Sequence, residues 1–151
     1  MGSSGGSRPA LPSPAHVLVD TNVVLDLLVG REPWASEARS LWDAHSTGRI
    51  EVYLSASALT DIFYICRKQI GVDRARTAVG ECLRRFIILT VDRTIVEAAL
   101  QLVGPDFEDD VQIASAQAAS LHVIATRDIA GFRHAPLPAL LPADVVARLA
   151  P

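Results

Sequence analysis

The chain has 151 residues, half of them hydrophobic and a fifth charged, with a formal net charge of −3. That length and composition fit one globular domain with a single core. They exclude a protein coated in basic residues for nucleic acid, though not a local basic groove, and no apolar run approaches the roughly 20 residues of a membrane helix. No basic start leads into a long apolar segment, so secretion is unsupported and a cytoplasmic location is expected. Cys66 and Cys82 both fall in apolar helical patterns and read as reduced, buried thiols.

Residues 1–14, MGSSGGSRPALPSP, are Gly, Ser and Pro without periodicity and read as a flexible leader ahead of one domain over 15–151. The short apolar run Val17, Leu18, Val19 marks a first strand from about His16 to Val19, read as buried on both faces. A helix follows from Thr21 to Val29, stopped by Gly30. Pro33 opens the next helix from an N1 position, with Ala35, Ala38, Leu41, Trp42 and Ala44 as its apolar stripe and Gly48 at its end. Glu51 to Leu54 is a second strand. Ser55 and Ser57 are candidate caps for a long helix through Ile70. Gly71 breaks it, and Asp73 caps a further helix to about Arg85. Leu41, Trp42, Phe63 and Tyr64 read as core.

Phe86 to Val91 is a third strand, β-branched and apolar. Asp92 starts a helix over Thr94 to Val103, and Gly104 and Pro105 break the chain. Asp106 caps an alanine-rich helix from Phe107 to Ser120. His122 to Ala125 is a fourth strand, followed by Thr126, Arg127 and Asp128. A short fifth strand near Ala139 to Leu141 and a helix after Pro142 close the chain. Strands alternating with helices predict an α/β fold with a mainly parallel sheet of four to five strands.

Four of the 17 acids stand out. Asp20 follows the first strand, where ligands collect in parallel sheets; equally, it fits a helix cap. Asp61 lies inside a helix among Ser57, Ala58, Tyr64 and Ile65, where burial needs a partner or a cation, unless it sits at a solvated edge. Asp109 shares a helical face with Gln112, Ile113 and Ala116, although a first-turn acid also suits the helix dipole. Asp110 lies 100° further round an ideal helix and is expected to be solvated. Asp128 follows the fourth strand and can reach the same sheet edge as Asp20. Carboxylates converging there repel unless a hard cation sits between them, and oxygen-only ligation favours Mg²⁺ or Mn²⁺ over zinc. The cysteines and histidines have no zinc-ligand spacing. Arg67, Lys68, Arg74, Arg76, Arg84 and Arg85 fall within 19 residues, either as solvated helix faces or as a phosphate track.

Taken in order, VDTNVVLD, SALTDIFY, DFEDDVQIASA and IATRDIAGF resemble the PIN-domain ribonucleases, and most of all the VapC-type toxins of toxin–antitoxin pairs. The resemblance runs from about His16 to the C-terminus. It implies a three-layer α/β/α sandwich and a Mg²⁺ or Mn²⁺ site that cuts RNA, leaving a 5′-phosphate and a 3′-hydroxyl. By position it assigns Asp20, Asp61, Asp109 and Asp128 to the acidic site, with Asp20 and Asp109 as the main metal ligands. Asn22 and Thr126 match supporting polar positions. Arg127, or Arg67 and Lys68 in the basic cluster, would steer the RNA backbone. It further implies a homodimer formed through the early helices and an antitoxin that places a side chain, often arginine, in the pocket. Two departures stand out: the family's second acid is usually Glu where this chain has Asp61, and the fourth position varies between Asp and Asn. The shorter Asp61 feeds a rival reading, a catalytically weakened PIN-like module that binds RNA or protein. A haloacid-dehalogenase-type phosphatase needs an acid where Asn22 stands, and a receiver domain needs a late lysine, whereas the only lysine is Lys68.

Overall fold

A computed structural model describes residues 10–151. The expected leader lies outside the described residues as far as residue 9. Within its remainder, Leu11 pairs in parallel with Leu149 and donates its N–H to the Arg148 carbonyl at 2.8 Å, so the chain is tied to the domain from there.

Five strands form one wholly parallel sheet: β1 (Ala15–Val19), β2 (Ile50–Ser55), β3 (Ile87–Leu89), β4 (Val123–Ala125) and β5 (Ala139–Leu140). The order across it is β3-β2-β1-β4-β5. The α-helices are α1 (Thr21–Val29), α2 (Trp34–Ser46), α3 (Ala56–Ile70), α4 (Val72–Arg85), α5 (Arg93–Leu102), α6 (Phe107–Ala118) and α7 (Pro142–Ala147). A 3₁₀ turn spans Ala130–Phe132.

Strand alternation assigns the layers. Ala15, Val17 and Val19 of β1 pack with Val23 and Val24 of α1, Leu41 of α2, Ile62 and Cys66 of α3 and Ala75 of α4. Leu18 points the other way, toward Ile113 and Ala116 of α6, Ile124 of β4 and Phe132. The α5 helix lies outside α6, with Ala99 against Val111 and Ala114. Both faces of the sheet are therefore covered, which is why Val17–Val19 of β1 and the whole of β4 are apolar without a break.

The chain builds outward from β1 through β2 to β3, then returns to the other flank for β4 and β5. Such a reversal opens a crevice at the carboxyl ends of the two central strands, the usual ligand position in open α/β sheets. Asp20 and Thr126 stand on its two sides, one residue beyond β1 and β4, and the Asp20 N–H still bonds the Ala125 carbonyl at 2.9 Å.

Several local expectations shift. Pro33 occupies the cap of α2 and not its first turn, and α2 begins at Trp34. The left-handed Gly71 (φ 87°) makes the α3–α4 turn by itself, so Asp73 falls inside the first turn of α4 and caps nothing. The third strand keeps only three residues: Phe86 turns inward edge-on to Trp42, with ring centroids 4.5 Å apart, and beyond Leu89 the chain leaves the sheet toward Asp92. Asp92 caps α5 by accepting the Ile95 N–H at 3.0 Å. Helix α6 ends at Ala118, two residues short of the expected Ser120, which is left-handed. Tyr64 is 57% exposed and belongs to no core, whereas Leu41 is buried and Trp42 and Phe63 are half-buried. Cys66 and Cys82 are buried and unbridged.

Candidate active site

Asp20 occupies the cap position of α1, yet its carboxylate makes no capping hydrogen bond. It turns into the crevice instead. Oδ1 accepts from Gln112 Nε2 at 3.0 Å and Oδ2 from Thr126 Oγ1 at 2.8 Å, leaving the residue 4% exposed. Thr126 Oγ1 also accepts the Asp128 N–H at 2.9 Å. Burial pushes the Asp20 carboxyl above the usual range, and the bonds from Gln112 and Thr126 pull it part of the way back.

Asp20, Asp61, Asp109 and Asp128 all line one pocket of about 300 Å³, together with Thr21, Asn22, Ile65, Asp106, Glu108 and Gln112. No lysine or arginine is among these residues. Asp109 comes from the first turn of α6, where its N–H bonds the capping Asp106 at 3.1 Å. Desolvation, followed by the charges of Asp20, Asp106, Asp128 and Asp110, raises its pKa to about 7. Asp61 reaches the pocket from the second turn of α3, which Ser55 caps at the end of β2. Its carboxyl is raised by desolvation and then by Asp106. Asp128 is exposed at the rim, its Oδ1 accepting the Gly131 N–H at 3.0 Å. A side chain at Gly131 would meet the Asp128 carboxylate and displace it from its present position.

Asp110 is the clear correction. Expected to be solvated, it is 2% exposed, and it does not line the pocket. It accepts the Gly104 N–H at 2.9 Å and stands 2.6 Å from His134 Nε2. The α5–α6 loop and the segment after β4 close over it, so the helix is enclosed on that side too.

The basic candidates do not enter the pocket. Arg127 is bidentate to Asp26 of α1, with Nε at 2.6 Å and Nη2 at 3.1 Å, and stacks 4.3 Å over the Trp34 ring. Arg67 and Lys68 are exposed in the last turn of α3, Lys68 two turns beyond Asp61 on the same side. Arg84 and Arg85 both pair with Glu81. The sequence reading left out Asp106 and Glu108 as pocket residues and treated Gln112 only as a face neighbour. Their spacing from Asp109 (−3, −1 and +3) was the available signal, masked by the ordinary habit of acids at helix starts.

Among the described residues, no three His, Cys, Asp or Glu side chains form a ready-made ligand group for a metal. The donor chemistry nevertheless fits a hard cation. The lining is rich in carboxylates, and Gln112 Oε1 is buried without a hydrogen-bond partner while its Nε2 is committed to Asp20.

The model of the PIN domain family matches residues 16–130. No curated protein matches the sequence significantly. Among solved structures, the sarcin–ricin-loop-cleaving toxin VapC20 of Mycobacterium tuberculosis superposes with a TM-score of 0.62 at 16% identity, over 72% of this chain and 86% of that one. A toxin–antitoxin complex from Klebsiella pneumoniae gives 0.63 at 24%, over 83% and 97%. DNA-bound VapBC from Salmonella typhimurium gives 0.64 at 18%, over 83% and 96%. At these identities the structures show a shared fold. With the family match spanning most of the sequence and the acids gathered at the sheet's switch point, the chain belongs to the PIN domain family.

Proposed function

We propose that this chain is a Mg²⁺- or Mn²⁺-dependent ribonuclease, the toxin of a toxin–antitoxin pair. The observation that carries the reading is Asp20, buried and doubly hydrogen-bonded in a pocket with Asp61, Asp109 and Asp128 and, among the described residues, no cationic side chain. A phosphodiester is repelled by such a pocket unless a cation stands between them. A divalent ion bound there supplies charge neutralisation at the phosphate and a more acidic water.

The chain's own groups divide the remaining tasks. Gln112 and Thr126 fix the direction of the Asp20 carboxylate. Asp109 and Asp20 are the principal ligands, with Asp61 and Asp128 completing the pocket and Asn22 at its mouth. With a pKa near 7, Asp109 exchanges a proton readily around neutrality until a cation holds it ionised. Lys68 and Arg67 are placed to meet the RNA backbone along α3. An antitoxin arginine entering the pocket would replace the cation's charge, which accounts for inhibition by a partner. A homodimer and a cytoplasmic location belong to the same proposal.

The rival reading, a weakened binding module, rested on Asp61 in place of Glu. Its support is reduced by Asp61 lining the same pocket as Asp20 despite the shorter side chain. The test is cleavage of unpaired RNA with and without Mg²⁺ or Mn²⁺. The wild-type protein yields 5′-phosphate products only with the metal, and Asp20→Asn yields none while its melting stays largely intact. RNA binding by the wild type with no metal-dependent product would overturn the enzyme reading in favour of the module.

A further inference from the structure

Three consecutive side chains after β4 point to three different tasks. Thr126 holds Asp20, Asp128 lines the pocket, and Arg127, between them, turns away to α1. There it meets Asp26, which is 1% exposed, through two hydrogen bonds in the fork-to-fork arrangement that fixes both distance and orientation. The guanidinium is sandwiched from outside by the Trp34 ring at 4.3 Å, and Arg31 Nε approaches the same carboxylate at 3.3 Å. Asp26 and Asp20 belong to one rigid element, since α1 begins immediately after Asp20. The pair therefore bolts the 126–128 turn to the helix that follows Asp20.

We infer that Arg127 is a positioning residue of the acidic pocket: its bidentate bond to Asp26 sets the relation of Thr126 and Asp128 to Asp20, and through it the affinity for a divalent cation. This rests on the reading that the pocket takes such a cation. It also changes the role first expected for Arg127, since its Nε–Nη2 edge is bound to a buried carboxylate and its face lies on Trp34, which leaves only the Nη1 edge for a phosphate.

The test is Mn²⁺ titration of the full chain by calorimetry, beside RNA binding in EDTA and thermal melting. Arg127→Lys keeps the charge but loses the fork. It is expected to weaken Mn²⁺ binding roughly tenfold, the scale for groups that orient metal ligands from behind. RNA binding in EDTA stays within about twofold, since no phosphate contact is lost. Asp26→Asn has a similar effect, and the double variant is no weaker than either single one, because both remove the same bond. If Arg127→Lys binds Mn²⁺ as tightly as wild type, the inference is overturned, whether melting has fallen (a purely structural role) or RNA binding has weakened (a substrate contact). Should Asp26→Asn fail to fold, the lysine variant decides alone. Wild-type protein that binds no Mn²⁺ removes the cation reading itself, a result distinguishable from failure of the positioning role.

Discussion

Asp109 and Asp110 are joined by one peptide bond, yet α6 turns them about 100° apart and into opposite electrostatic situations. Asp110 is enclosed by the chain's own donors, the Gly104 N–H and His134. Asp109 is desolvated and then feels the charges of Asp20, Asp106 and Asp128, and its carboxyl rises to about 7. Asp26 follows the pattern of Asp110: buried, and answered by Arg127 and Arg31. Where the protein satisfies a carboxylate internally, that carboxylate holds the fold together. Where it leaves several unanswered around one pocket, the function we propose gives that place to a charge from outside.

The contrast is sharpened most by substituting the two neighbours separately. Asp109→Asn should lower metal-dependent RNA cleavage by about 100-fold or more, a loss of several kcal/mol of transition-state stabilisation. Its melting temperature should hold or rise, because a repelled charge has gone. Asp110→Asn should do the reverse. It weakens the bonds to His134 and Gly104 at a cost of about 1–3 kcal/mol, which lowers melting by roughly 3–10 °C in a chain of this size. Cleavage should fall far less than in Asp109→Asn. Equal effects in the two variants would break the division of labour.

A smaller effect is expected with pH. The folded-state pKa of Asp109, about 7, lies above its ordinary value of 3.8. The folded protein therefore binds the proton more tightly than the unfolded chain, and that contribution is complete below about pH 4 and lost as pH rises through 7. Metal-free protein should melt progressively lower across that interval, and Asp109→Asn should flatten the slope. Mg²⁺ at 10 to 100 times its dissociation constant should restore about 1.4–2.7 kcal/mol at neutral pH, a rise of a few degrees. A wild-type slope unchanged by both the substitution and the metal would show that the carboxylates do not feel one another.

Much of the architecture was legible from local signals. Apolar runs without alternation marked β1 and β4, and Gly30, Gly71, Asp92 and Asp106 marked helix ends because their conformational and capping preferences act within a few residues. The order of four short motifs also placed Asp20, Asp61, Asp109 and Asp128 as candidates for one site. Which acids were answered by the chain was not legible. Asp110 and Asp26 meet partners 24 and 101 residues away, separations over which sequence periodicity carries no information. The same distance effect hid the bond between Arg127 and Asp26.

The linear chain by itself determined the alternation of strands and helices and the stock of carboxylates at strand and helix ends, since both follow from periodicity and neighbour preferences. Only the tertiary structure decided which side of α6 each acid faces, that Gln112 and Thr126 converge on Asp20, and that among the described residues no lysine or arginine lines the pocket. Those outcomes depend on packing between distant segments, where solvent exclusion makes each unpaired charge matter.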